Sequence, residues 1–333
     1  MSPESNVSLQ MRNTLAVPAN ARHFITATTL SELRDGLAFA RQHELPQLIL
    51  GGGSNIVLSR DYDGVVIALN LRGVRVLSDD GETVLVSVAA GENWDAFVRY
   101  SLEQGWYGLE NLSAIPGSVG AAPIQNIGAY GVELSSVLHA VVGVDLANDS
   151  ERRLSAAECE LSYRDSIFKQ GLRDRFVITE VELALHRQSA VNLSYPALAV
   201  EVSADASPQE VAAAVRKVRG RKLPSPADLP NAGSFFKNPI ISRAQADELQ
   251  QSHPEMPLWP HGDACKLAAG WLVEQAGWRG VEHNGVGMYR EQALVLINPG
   301  RCSGERILGF AADIQSSVQD RFGVTLEIEP RVY

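Results

Sequence analysis

A chain of 333 residues, 45% hydrophobic and 20% charged, has the make-up of a soluble globular protein with room for two or three domains. Its formal charge of -10 argues against nucleic acid or an anionic membrane as the main partner, while leaving space for a basic pocket around a phosphorylated small molecule. No apolar run approaches the ~20 residues that span a bilayer, and residues 1–24 lack a signal-peptide core. Cys159, Cys265 and Cys302 form no CxxC pair and the histidines show no metal-ligand spacing, so the reading is a cytoplasmic protein with reduced thiols and no metal.

In chain order, Thr29-Leu-Ser-Glu32 is a capping box, and Leu33, Leu37 and Ala40 follow at helical spacing; a helix from about Leu30 to Gln42 is predicted. Residues 46–50 read as a short buried strand ended by Gly51, Gly52 and Gly53, and 64–69 as a second strand. A strand over 83–88 and a helix capped by Asn93 lead into 108–131, a stretch so rich in Gly, Ala, Ser and Pro that it builds little core. Structureless loops beyond ~12–15 residues are uncommon and usually functional. Strands follow over 140–146 and 176–185. Ser207-Pro-Gln-Glu210 opens another capped helix, ended by a linker at 219–224. Helices are predicted over 242–252, 265–276 and 303–322, a strand over 293–297 and a closing strand over 324–332.

Several segments carry chemistry. In Leu50-Gly-Gly-Gly-Ser-Asn55 the glycines let backbone amides approach an anionic ligand, and Ser54 and Asn55 add donors; the other reading is a plain glycine turn. The segment is neither GxxxxGK[ST] nor GxGxxG, so neither a P-loop nor the usual dinucleotide fingerprint is present. Residues 110–131 read as a cradle for a pyrophosphate and a flat aromatic cofactor, with Ile115, Val119, Ile124 and Ile127 arguing against disorder. Arg164, in Tyr163-Arg-Asp-Ser, suits bidentate carboxylate recognition, unless it forms a surface pair with Asp165. Asn231 to Pro239 bends the backbone so that Ser234 stands in a cleft. Glu327 and Glu329 share one strand face, a solvated one unless Glu329 lines that cleft. The absence of HExxH and GxSxG argues against a zinc hydrolase or an α/β-hydrolase.

In this order, LGGGSN (50–55), GLENLSAIPGSVGAAPIQNIGAYG (108–131), YRDSIFK (163–169), NAGSFFKNP (231–239), KLAAGWLVEQAG (266–277), QALVLIN (292–298) and LEIEP (326–330) resemble the UDP-N-acetylenolpyruvoylglucosamine reductase family, in its long form with a tyrosine loop. The resemblance runs from about Asn13 to the end. It implies an α+β protein. A two-part FAD-binding fold of the vanillyl-alcohol-oxidase type would comprise 1–71 and 72–218, the latter completed by 324–333, and a C-terminal α+β substrate-binding domain 219–323. It implies FAD held tightly without a covalent bond, NADPH as co-substrate, and a monomer. The implied reaction passes a hydride from NADPH to FAD and on to the methylene carbon of UDP-N-acetylglucosamine enolpyruvate, giving UDP-N-acetylmuramate for peptidoglycan.

By match to the motifs, Ser234 protonates the adjacent carbon, Arg164 stabilises the enolate, and Glu329 is the glutamate beside it. The cofactor would be held by Gly51, Gly52, Gly53, Ser54 and Asn55, by Ser113, Ile115, Pro116, Gly117 and Ser118, by Gly120, Ala121, Ala122, Gln125 and Asn126, and by Gly128, Ala129 and Ile178. The substrate would be held by Tyr195 of a covering loop and by Arg219, Lys222, Asn238 and Gln292. Residues 120–123 read Gly-Ala-Ala-Pro where some members have serines, so backbone donors would replace a hydroxyl contact. Two other readings stand beside this one. Another FAD oxidase or dehydrogenase acting on an alcohol or hydroxy acid leaves NAGSFFKNP hard to explain and finds no histidine in LGGGSN for covalent attachment. A non-catalytic nucleotide sensor would purify without flavin colour.

Overall fold

The computed structural model describes residues 2–333. The chain divides into two compact units. The first takes residues up to Val7, Ala21–Gly53 and Asp63–Gly220; the second takes Ser8–Asn20, Ser54–Tyr62 and Arg221–Tyr333.

In the first unit, a four-stranded sheet has the order Glu4–Ser8, Asn20–Ala27, Tyr62–Leu69, Gln47–Leu50. Gln47–Leu50 runs parallel to its neighbour, with Gln47 opposite Val65 and Leu50 opposite Ala68. The helix Leu30–Gln42 starts where its capping box dictates: Thr29 Oγ1 accepts from Glu32 N at 3.2 Å, and the Glu32 carboxylate accepts from Thr29 N at 3.2 Å. Its apolar stripe, Leu33, Leu37 and Ala40, is buried with Ile25, Val65 and Ile67.

An antiparallel five-stranded sheet follows, in the order Ser150–Ser155, Leu138–Asp145, Phe176–His186, Thr83–Ala89, Val74–Asp79. Val84, Val86 and Val88, alternate residues on one face, share a core with Trp94, Phe97, Val98 and Leu102 of the helix Trp94–Glu103. Asn93 Oδ1 caps that helix by accepting from Ala96 N at 2.9 Å. The stretch 108–131 departs from its reading as a loop with little core. It forms three single 3-10 turns and the hairpin Gly128–Ala129/Val132–Glu133, and it buries Leu109, Leu112, Val119, Ala122 and Ile127 in the same core. Its apolar residues are spaced by small ones, so the chain turns tightly enough for these five to reach inward, while Ile124 stays exposed. The helix Pro208–Lys222 runs through the residues expected as a linker. Arg and Lys are good helix formers, and the stop comes only at Leu223, which precedes Pro224.

In the second unit, one sheet has the order Asn231–Ser234, Val295–Ile297, Val286–Met288, Glu282–His283, and a second the order Ile240–Ser242, Ala264–Leu267, Leu258–His261. The helix predicted over 265–276 is a strand for its first turn. Ala264–Leu267 pairs on both edges, and only Ala269–Gln275 is helical. The two edges on offer satisfy the backbone better than a helix start would, which overrides local propensity. The helix Gly304–Phe322 matches its prediction, with Ser303 Oγ as cap and Gly323 at φ +64° as stop.

The closing strand is shorter than expected. Only Arg331–Val332 is a strand, parallel to Ile56–Val57. Residues 324–333 group with 8–20, 54–62 and 221–323. Pro330 has no N–H to give a ladder. Arg331 N and Tyr333 N instead donate to Asn55 O and Val57 O at 3.0 and 2.9 Å.

Candidate active site

The first unit builds a small-residue cradle. At the C-terminal end of Gln47–Leu50, a Cβ on Gly51 would lie 2.3 Å from Ser118 Oγ, and one on Gly52 2.7 Å from Gly117 Cα. A Cβ on Gly120 would lie 2.5 Å from Ala90 Cβ. At Gly52 backbone therefore meets backbone, and at Gly51 and Gly120 the chain lies too close to Ser118 and Ala90 for a side chain. Gly53 is buried, with φ +61°. Beside the cradle, Ser113 is fully buried and its Oγ has no hydrogen-bond partner among the described residues. A buried hydroxyl without a partner is costly, and a ligand acceptor would satisfy it. Ile115 packs against the core, Pro116 is exposed, and Gly117, Ala121 and Gln125 are half-buried. Ser118, Ala122 and Ile178 are buried.

Asp95 holds this loop in place. Its Oδ1 accepts from Ala114 N at 2.6 Å and its Oδ2 from Arg216 at 2.7 Å. Burial pushes the Asp95 carboxyl up, but the hydrogen bonds from Arg216 and Ala114 N, with the Arg216 and Arg99 charges, outweigh it and hold the group below its usual range. Asn126 is committed to the fold: its Nδ2 donates to Glu133 Oε2 and Ser162 O at 2.9 and 3.1 Å, and its Oδ1 accepts from Ser135 N at 2.9 Å.

Arg164 lies in the same unit, at φ +54°, so the backbone itself is held in an unusual conformation. Its Nη2 donates to Gly128 O at 3.0 Å, and Lys169 Nζ donates to Arg164 O at 2.8 Å. Gly128 and Ala129 form the half-buried first strand of the small hairpin. Arg164, Tyr130, Tyr195 and Arg219 come together here. The rings of Tyr130 and Tyr195 meet edge to face at 5.0 Å. Burial lowers the proton affinity of Arg219, the charges of Tyr130 and Asp95 oppose this, and the Arg164 charge lowers it further. Burial also raises the Tyr130 phenol, against the pull of Arg219. Two guanidinium groups that disfavour each other make a setting for an anionic ligand. Tyr130 escaped the sequence reading as a site residue; a tyrosine between Ala129 and Gly131 in a stretch of small residues was the available signal.

The second unit positions Ser234 and Glu329. Asn231 Nδ2 donates to Pro224 O and Leu229 O at 3.0 and 2.8 Å, and its Oδ1 accepts from Gly233 N at 2.9 Å. Gly233 has φ +70°, and Ser234 then pairs with Val295. Phe235 and Phe236, both fully buried, anchor the chain immediately after Ser234. Phe235 O accepts from Glu329 N at 2.9 Å, so Ser234 and Glu329, distant in sequence, lie on neighbouring backbones. Asn238 Oδ1 accepts from Ala269 N at 3.0 Å, and Gln292 Oε1 lies 3.3 Å from where a Cβ on Gly270 would stand, so each amide lies at the start of Ala269–Gln275. Lys222 is half-buried at the end of its helix. Ser54 and Asn55, expected with the glycines, fall in this unit. Among the described residues, no three His, Cys, Asp or Glu side chains gather as a metal site, and no helix is long and apolar enough to cross a membrane.

Residues 21–155 match the FAD binding domain family, which makes the chain one that carries an FAD-binding module. The glycine contacts and the unsatisfied Ser113 hydroxyl fit a cofactor seated there. Residues 225–333 match the C-terminal domain of UDP-N-acetylenolpyruvoylglucosamine reductase. The chain is 44% identical to the reductase of that name from Pseudomonas fluorescens, across 99% of this chain and 98% of the relative. It is 45% identical to that of Chromobacterium violaceum, across 98% of each. It superposes on the crystal structure of the Thermus caldophilus reductase with a TM-score of 0.70 at 23% identity, covering 100% and 99% of the two chains, which supports the fold. The chain belongs to the UDP-N-acetylenolpyruvoylglucosamine reductase family of FAD-containing oxidoreductases.

Gly52→Ala tests the cradle. The new methyl would force the turn at 50–53 away from Gly117. The variant is expected to purify with flavin colour per protein reduced about ten-fold or more, which for a cofactor that saturates the wild type requires more than about 1.4 kcal/mol of lost affinity. Full retention of FAD would show that this contact does not shape the cofactor site.

Proposed function

We propose that the protein reduces the enolpyruvyl ether of UDP-N-acetylglucosamine enolpyruvate to UDP-N-acetylmuramate with electrons from NADPH, a step in making peptidoglycan precursors. The observation that carries this reading is identity of 44–45% over nearly the full length to reductases of that name. The absence of histidine from Leu50–Asn55 supports non-covalent FAD.

FAD, when bound, supplies a redox centre that takes a hydride from the nicotinamide and delivers it to the substrate's methylene carbon. The protein's own groups do the rest. Hydride arrival at the methylene carbon puts negative charge on the adjacent carbon and its carboxylate. Arg164, held by Gly128 O, supplies a fixed positive charge for that enolate. Glu329, by its place in the terminal LEIEP motif, is the acidic residue of this reading. Ser234 Oγ gives its proton to the adjacent carbon, which completes the lactyl ether, and regains a proton from solvent. A serine is a weak acid, so nearby charge and a water-poor setting are what activate it. Arg219 and Lys222 offset the diphosphate charge, Asn238 and Gln292 hydrogen-bond the sugar nucleotide, and Tyr195 covers the bound substrate. The protein acts as a monomer in the cytoplasm.

The test is direct. Purified yellow protein, given NADPH and the enolpyruvyl sugar nucleotide, is expected to consume NADPH only when the sugar nucleotide is present and to yield a product heavier by one hydride and one proton. NADPH consumption indifferent to the sugar nucleotide would reject the reading. Turnover of an alcohol or a hydroxy acid in its place would favour an oxidase.

A further inference from the structure

We propose that Asn111 is a positioning residue for Tyr195, holding the turn that carries this tyrosine onto the Tyr130–Gly131 turn. The proposal rests on the reading of Tyr195 as a substrate contact.

Asn111 is 1% exposed and sits in the 3-10 turn Glu110–Leu112. That turn is a rigid base. Leu109 and Leu112 are fully buried, and Leu112 O accepts from Trp94 Nε1 at 2.9 Å. A primary amide has two N–H donors, and Asn111 Nδ2 spends both on backbone carbonyls: Tyr130 O at 2.8 Å and Asn192 O at 2.9 Å. The two carbonyls belong to segments far apart in the chain, joined here through one side chain.

The second segment is shaped to receive this bond. Asn192 Oδ1 accepts from Ser194 N and Ser194 Oγ at 2.9 and 2.7 Å, closing a tight turn, and Asn192 Nδ2 donates to Gly131 O at 3.3 Å. Gly131, at φ +83°, leaves room for it; a Cβ there would stand 2.6 Å from Ser194 Oγ. Tyr195 comes directly after and lays its ring edge-on against Tyr130. Tyr195 is 37% exposed, so packing alone fixes it weakly. The competing anchor is the apolar cluster in which Val191, Leu193 and Ala197 pack with Leu198, Val211 and Val215. If that cluster alone sets the segment, Asn111 is dispensable to Tyr195.

Asn111→Ala leaves both carbonyls without their buried donor. In the FAD-loaded protein, amide hydrogen exchange over residues 192–195 is expected to quicken by roughly ten- to a hundred-fold. KM for the enolpyruvyl sugar nucleotide is expected to rise roughly ten-fold, while kcat falls less than about three-fold and flavin content and its reduction by NADPH stay at wild-type levels. Gly131→Ala, which displaces the Ser194 turn and leaves the Asn111 side chain present, should give the same KM rise, and serves if Asn111→Ala folds poorly. Unchanged exchange and unchanged KM in both variants would overturn the proposal, as would a loss confined to kcat or flavin content. Tyr195→Ala separates the two layers: if it leaves KM unchanged, the substrate reading of Tyr195 fails, whereas an unchanged KM in Asn111→Ala alone counts against Asn111.

Discussion

Replacing Ser234 by alanine is expected to leave a yellow, folded protein that still oxidises NADPH in a single turnover but forms product roughly 10²–10⁴-fold more slowly, the usual loss when a positioned general acid is removed. The substitution deletes one oxygen and leaves the backbone pairing intact. Asn231 continues to hold Gly233 N at 2.9 Å, position 234 keeps its place opposite Val295, and buried Phe235 and Phe236 still anchor the backbone on its C-terminal side. Loss of rate without loss of melting temperature is therefore the pattern to look for. Rapid mixing of the NADPH-reduced variant with enolpyruvyl sugar nucleotide, without oxygen, reads the step alone. A variant that forms product as fast as wild type would move the proton donor elsewhere.

Arg164→Met is expected to lower kcat/KM by about 10²–10³, the scale for removing one fixed charge or donor at developing negative charge. Methionine keeps much of the side-chain volume, so the loss reports the guanidinium. Arg164→Lys should recover less than ten-fold of this, because a lone ammonium does not reproduce the planar fork that donates to Gly128 O. Flavin content measured on the same preparations guards against a cradle effect, since a Cβ on Gly128 would already lie 3.2 Å from Arg164 Nη1. Near-normal kcat/KM in the methionine variant would remove Arg164 from the chemistry.

How much of the structure is legible in the chain depends on the range of the forces involved. Leu30–Gln42 and Gly304–Phe322 carry their own start and stop signals within a few residues, so local pattern suffices. Ala264–Leu267 does not, because its strand state comes from two edges supplied by Ile240–Ser242 and Leu258–His261. The assignment of residues 8–20 and 54–62 to the C-terminal unit rests on long-range bonds such as Asn231 N to Thr14 O and Asn298 Nδ2 to Leu15 O, which no local pattern reveals. The site divides in the same way. Motif segments point to Ser234, Arg164 and the glycines, whereas the adjacency of Ser234 and Glu329 depends on Phe235 O finding Glu329 N. Tyr130 and Asn111 escape a reading of the sequence because their meaning lies in residues 192–195, well beyond any window of periodicity.

The most direct measurement is an anaerobic single turnover of the wild-type protein, followed by visible flavin absorbance and product analysis. NADPH should bleach the yellow colour, and UDP-N-acetylglucosamine enolpyruvate should restore it as UDP-N-acetylmuramate appears in equal amount. A bleached protein that the sugar nucleotide fails to recolour would contradict the assignment.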